Sequence, residues 1–410
     1  AMSAGVWLVR DVWPIYRGIE RATCILGARV MSDVLVYVQH LLGIGHVRRM
    51  ALINQALRNR GLSVVVASGG VPDDNLDFAA DEVVQLSPCK TSDTGFSALV
   101  DPHGNPLGDD WQEKRTNQLL AAFKSSSPKL LLIEMFPFGR RAFRFELIPL
   151  FDAAKEAGVP VICSVRDLLV RKKDIRKTQW MHDTAREYLD AVLVHGDQKL
   201  FGFDRSFELA DGIADLITYT GYVAPTLPSR PSNTGNGHRL GVLVSAGGGA
   251  VGADLIRLAI AARAHSRNYH DAKWDIVTGP HFPSAQFEML NKDLPDGVVL
   301  HRFLSDFRER MAGAAVSVSQ AGYNTLMDVL ATQTPAVMVP FAEGGESEQT
   351  ERAEVLADEG VISLLDLDSL SAQSLAKQID NARDPSGIKI DLDGAARTAS
   401  IIAEKIKGQA

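Results

Sequence analysis

Three stretches gather residue types that handle phosphates, hydroxyls and protons. The most specific runs Ser319-Gln320-Ala321-Gly322-Tyr323-Asn324-Thr325 to Asp328, then Pro335, Pro340-Phe341 and Glu348-Gln349. A β-rich apolar run leads into it and a helical pattern leaves it. Gly322 permits a close backbone turn, and Asn324 and Thr325 open a helix whose N–H groups can donate to a diphosphate. Asp328 lies one turn further along, where a carboxylate can accept both hydroxyls of a ribose. Gln349 opens the next helix and can bond sugar hydroxyls. Each residue alone reads equally well as a cap or a surface polar group; together they point to a nucleotide site.

The second stretch is Ser245-Ala246-Gly247-Gly248-Gly249-Ala250-Val251-Gly252, directly after a strand. Glycines this dense are costly to order unless backbone passes close to something, and a phosphate at the next helix start is the natural something. The alternative is a flexible strand-to-helix loop. The third stretch, Gln39-His40-Leu41-Leu42-Gly43-Ile44-Gly45-His46, also joins a strand to a helix. There the helix dipole disfavours the imidazolium of His46 and leaves a neutral base able to take a proton from a hydroxyl. An ordinary tight turn is the competing reading. Neither glycine loop completes a P-loop or a dinucleotide fingerprint.

Glu134 ends the strand-like run 129–134 and is followed by Phe136-Pro137-Phe138-Gly139 and by Arg140, Arg141 and Arg144. A desolvated carboxylate at such a place can act as a general base; equally, it can form an ion pair with Arg140 or Arg166. Arg166-Asp167 ends the next strand, and Arg171-Lys172-Lys173 suits an anionic acceptor, a membrane surface or plain solvation. Asp366/Asp368 and Asp391/Asp393 read as caps or turns, so no catalytic metal is expected.

Short apolar β-rich runs alternate with helical patterns from Asp33 to Val223, and the alternation restarts after residues 224–237, which are rich in Pro, Ser, Gly and Asn. The spacing predicts an N-terminal domain over 33–223, a linker over 224–237 and a C-terminal domain over 238–410, with 1–32 as an extension. The stretch from Val6 to Leu26 reads as a surface-packed extension or as an amphipathic membrane-surface helix, which Pro14 disfavours. The expected fold class is α/β: two doubly wound Rossmann-type domains with ligands in the cleft between them. A net charge of −7 argues against a nucleic-acid partner. Cys24, Cys89 and Cys163 form no ligand or disulfide pattern, which fits a reducing cytoplasm. No apolar run is long enough to span a bilayer.

With these residues in place, the 319–353 stretch resembles the donor-binding region of GT-B glycosyltransferases of the MurG-like type, and the resemblance extends from Asp33 onward. Glu134–Arg140 and His195-Gly196-Asp197 resemble a bacterial group of MurG-like glycosyltransferases. The resemblance implies a metal-independent transfer of a sugar from a nucleoside diphosphate, UDP by family likeness, to an acceptor hydroxyl, without a cofactor. It places Gly247, Gly248, Gly249, Phe303, Leu304, Gln320, Gly322, Asn324, Thr325, Asp328, Glu348 and Gln349 on the donor. Gly43, Gly45, Arg140 and Arg166 fall on the acceptor side, with His46 or Glu134 as base. Leu41-Leu42 replace part of the family's first glycine run, Ala250-Val251 lengthen the second by about one residue, and the acceptor-facing half diverges. The expected partners are a nucleotide sugar, an acceptor (saccharide, lipid-linked or small molecule) and a peripheral membrane contact at the inner face. The family's work in cell-envelope or polysaccharide synthesis is the expected setting. The alternatives are a nucleotide-sugar hydrolase or epimerase on the same fold, or a non-catalytic nucleotide-sugar-binding partner.

Overall fold

The computed structural model describes residues 31–41, 45–73, 76–91, 99–171, 174–225, 239–246, 252–279, 282–340, 348–385 and 389–408. The first part contains β1 (Val34–Val38), α1 (Gly45–Asn59), β2 (Val64–Ser68), β3 (Glu82–Gln85), β4 (Lys90–Thr91) and β5 (Leu99–Val100). It continues with α2 (Asp109–Ser126), β6 (Leu130–Glu134), α3 (Arg144–Glu156), β7 (Val161–Arg166), α4 (Ile175–Tyr188), β8 (Ala191–His195) and β9 (Ile217–Tyr219). The second part contains β10 (Val242–Ser245), α5 (Gly252–Ala262), β11 (Trp274–Val277), α6 (Ser284–Lys292), β12 (Val298–His301), α7 (Phe307–Gly313) and β13 (Val316–Ser319). It ends with α8 (Tyr323–Thr332), β14 (Ala336–Met338), α9 (Glu348–Asp358), β15 (Ser363–Leu364), α10 (Ala372–Asp380) and α11 (Gly394–Lys407).

Strands buried on both faces are largely apolar, and β1 (VLVYV) and β6 (LLLIE) are buried at every position, with Glu134 the one charged residue between them. They sit at the centre of a seven-stranded parallel sheet of order β3-β2-β1-β6-β7-β8-β9. The second sheet has six parallel strands in the order β12-β11-β10-β13-β14-β15. In each sheet the strand order reverses once, between β1 and β6 and between β10 and β13, and the loops leaving those strands are where such sheets bind ligands.

Alternate residues of the first sheet face two cores. Leu35, Tyr37, Leu131 and Ile133 pack with α2 and α3, and Val34, Val36 and Leu132 pack with Met50, Ile53 and Leu57 of α1. That second core also holds Ala399, Ile402 and Ile406, so α11 leaves the second domain and lies beside α1. The crossing is pinned where the Tyr222 amide donates to Asp391 O (2.8 Å) and the Gly394 amide donates to Tyr222 O (3.0 Å). A side chain at position 394 would come within 2.4 Å of the Gly221 carbonyl, so the crossing needs glycine there.

Some elements depart from the sequence pattern. Helix α4 begins at Ile175, where Asp174 caps it by accepting from the Arg176 amide, although its first turns are mostly polar. Helices α6 and α10 and strand β9 are short, at nine, nine and three residues. Helix α10 is announced by its start: Ser371 and Ser374 form a reciprocal capping box.

Candidate functional site

The two reversal points face each other. Helix α1 opens at Gly45, α8 opens at Tyr323, and a Cβ at Gly45 would lie 2.6 Å from Asn324 Nδ2. On the N-terminal side, β6 delivers Glu134, which is fully buried. Its Oε1 meets His46 Nδ1 at 2.5 Å and accepts from Arg49 at 2.6 Å, while Oε2 lies 3.8 Å from Arg140 Nε. Oε2 is buried and makes no hydrogen bond, its nearest charged partner being Arg140. The turn that brings Arg140 back has Met135 at φ 69° and Arg140 at φ 57°, both in the left-handed region that disfavours side chains. Backbone held there by its surroundings is a mark of functional sites.

Burial is the main influence on both partners. It pulls the His46 imidazole down to about 4, against the opposing pull of Glu134. Burial alone would raise the Glu134 carboxyl, but the pairs with His46, Arg49 and Arg140 outweigh it and hold the group at about 2. At neutral pH the dyad is therefore a neutral imidazole against a carboxylate. Nδ1–H donates to Glu134, which leaves Nε2 as the basic nitrogen.

The sequence offered Arg140 or Arg166 as the partner of Glu134; the structure gives that role first to Arg49 and His46. The missed signal was spacing: Arg49 follows His46 by three residues and so shares its helix face. Arg166 turns instead to the C-terminal domain, where its guanidinium donates to Glu348 Oε1 at 2.6 Å. A second cross-domain pair, also missed, joins buried Asp167 to buried Arg352 through two hydrogen bonds of 2.9 and 2.8 Å. Bidentate geometry of this kind is the strongest form of the ion pair.

On the C-terminal side, Gly322, Asn324 and Thr325 lie at the N-terminus of α8, and Asp328 lies one turn along it. Burial raises the Asp328 carboxyl to about 6, against the pull of Arg308 and Arg48. Phe303, just past β12, is 67% exposed, whereas its neighbour Leu304 is buried. Gln320 follows β13 and is partly buried. Glu348 is buried against Arg166, and Gln349 Oε1 and Thr350 Oγ1 are buried without partners at the start of α9. Gly43, Gly247, Gly248 and Gly249 lie outside the described residues, as do Lys172 and Lys173. Asp391 accepts from the Asp393 amide at 3.1 Å and pairs with Arg397, which makes it a turn residue. Among the described residues, no group of three or more His, Cys, Asp or Glu side chains could hold a metal, and no helix is long and apolar enough to cross a membrane.

Residues 243–396 match the glycosyltransferase family 28 C-terminal domain, which spans α8, α9 and the site they carry. Across the whole chain, the fold is similar to that of MurG from Acinetobacter baumannii, with a TM-score of 0.58 and 15% identity over 91% of this chain and 99% of that one. The chain has the GT-B fold. The calicheamicin glycosyltransferase CalG4 is as similar in fold, with a TM-score of 0.58 and 15% identity over 91% of this chain and 95% of that one.

In sequence, the chain is 27% identical over 113 residues to an enzyme of Natranaerobius thermophilus, covering 28% of this chain. That relative is named UDP-N-acetylglucosamine–N-acetylmuramyl-(pentapeptide) pyrophosphoryl-undecaprenol N-acetylglucosamine transferase. The match spans 31% of that relative's length. The paired parallel sheets are those of the GT-B fold, and the segment that matches the family 28 domain forms the C-terminal face of the cleft.

Proposed function

We propose that this chain moves a sugar from a nucleoside diphosphate, UDP by likeness to its relatives, to an acceptor hydroxyl. The observation that carries the reading is the meeting of the two helix starts at Gly45 and Asn324. It sets a proton acceptor on one domain against a diphosphate-type helix N-terminus on the other.

His46 serves as the base. Its Nε2 takes the acceptor proton while Glu134 holds Nδ1–H and stabilises the imidazolium that forms. Glu134 is then a positioning residue rather than the base, because its Oε1 is committed to His46 and Arg49. As the anomeric bond breaks, negative charge grows on the leaving diphosphate. The N–H groups and side chains of Asn324 and Thr325 face that charge, joined by the loop that carries Gly247, Gly248 and Gly249. Asp328 accepts the ribose hydroxyls, Gln349 and Glu348 meet the sugar, and the exposed ring of Phe303 offers the base a stacking face. Gly43, Gly45, Arg140 and Arg166 border the acceptor.

The Natranaerobius relative is named for a pyrophosphoryl-undecaprenol-linked acceptor, and a lipid-linked acceptor would bring this chain to the inner membrane surface for envelope synthesis. The test is binding of UDP, GDP, dTDP and CDP, repeated with Asp328→Ala and Asn324→Ala. Tight binding of one nucleotide, lost in both variants, supports the donor site; no binding at about millimolar nucleotide removes it.

A further inference from the structure

Tyr323 occupies a place that the donor and base assignments leave unused. It is the first residue of α8, between Gly322 and Asn324, yet its ring contacts the other domain. The Arg49 guanidinium lies 5.9 Å from the ring centroid and that of Arg352 lies 5.4 Å from it. Its hydroxyl donates to the main-chain oxygen of His195, at the end of β8, at 3.5 Å. Each arginine is already engaged: Arg49 donates to Glu134 and Arg352 holds Asp167. Both are buried, so the cation–ring contacts are desolvated, at distances within the reach of such contacts.

We propose that Tyr323 is a positioning residue that couples the nucleotide loop of the C-terminal domain to the acceptor base of the N-terminal domain. The inference rests on the transferase reading of this site. The line of contact runs from the Asn324 loop through the Tyr323 ring to Arg49, from Arg49 to Glu134, and from Glu134 to His46. A nucleotide that settles the start of α8 thereby settles Arg49, and Arg49 fixes the carboxylate that orients the imidazole. The phenol suits this task because burial pushes its pKa well above the ordinary phenol range, so it keeps its proton and its bond to His195 at every working pH. The ring also helps hold the Arg49 guanidinium beside the dyad, where its charge is one of the influences that keep His46 neutral. The charged groups facing His46 are Glu134 from β6, Arg140 from the following turn, and Arg49 from its own helix.

The test follows the His46 imidazole by NMR in the full chain with labelled histidine, the signal being assigned by its loss in His46→Asn. In the unliganded wild type, His46 should titrate far below an ordinary histidine, and UDP should shift its resonance. In Tyr323→Ala, its pKa should rise by about one unit or more, and UDP, still bound to within about threefold, should no longer move it. Tyr323→Phe keeps the ring and should retain most of the response, which separates coupling from loss of fold. An unchanged His46 titration in Tyr323→Ala overturns the proposal. So does an undiminished response to UDP in that variant. If UDP does not bind the wild type, the donor reading fails, and the comparison of unliganded proteins still decides the role of Tyr323.

Discussion

The carboxylate of Asp328 gives the most direct handle on the donor site. It is 15% exposed, and burial lifts it to about 6, so it changes charge within the range in which the protein can be assayed. If it accepts the ribose hydroxyls, only the ionised form binds well. With a pKa of about 6, the ionised fraction falls from about 0.9 at pH 7 to about 0.1 at pH 5. Affinity for a nucleotide sugar should therefore rise with pH through this window, weakening about tenfold from pH 7 to pH 5. Asp328→Asn keeps the shape, removes the charge and replaces one acceptor oxygen with a donor. Loss of the charge-assisted bonds should cost about 2 kcal/mol, or about thirtyfold in Kd, at neutral pH. At pH 5 the wild-type carboxyl is itself mostly neutral, so the penalty should shrink to about threefold. Calorimetry with UDP-N-acetylglucosamine is the right assay, because its diphosphate diester does not titrate in this range, whereas the terminal phosphate of UDP does. A wild-type Kd independent of pH between about 5 and 7.5, or a variant with the same slope as the wild type, would refute the ribose role.

Four further outcomes follow from the geometry. Asp167→Ala leaves the buried Arg352 guanidinium without its counter-charge, and urea unfolding should show a loss of about 3–5 kcal/mol. Gly45→Ala should leave stability within about 1 kcal/mol, because the new methyl meets only the end of the Asn324 side chain, yet displacing that amide should weaken nucleotide binding about five- to tenfold. His46→Ala should lower transfer about 10²- to 10⁴-fold with little change in nucleotide Kd, measured once an acceptor is found. The wild-type turnover at saturating donor should stay flat on acidification until the imidazole protonates near about 4, while donor affinity falls earlier, through about 6.

Much of the architecture is written locally. Strands such as β1 and β6 are continuous apolar runs because a parallel strand covered on both faces has no polar side to display. The alternation of strand and helix then fixes the doubly wound class, and the glycine-bearing loops after β1, β10 and β13 mark the strand ends where such sheets bind ligands. Polar helices such as the early turns of α4 escape that reading, since their stability comes from a cap and from packing rather than from an apolar stripe. What the tertiary structure alone decides is partnership. Glu134 meets Arg49 across 85 positions of sequence, Arg166 meets Glu348 across 182, and Asp167 meets Arg352 across 185. Charged residues carry no label for their partners, and sequence spacing beyond one helix or hairpin says nothing about distance in space. The return of α11 onto α1 and the wedge of Tyr323 between two arginines are of the same kind: they depend on how one domain is turned against the other. The sequence by itself determines which side chains stand at each sheet edge, because backbone periodicity is local; the docking of the two domains decides which of them act together.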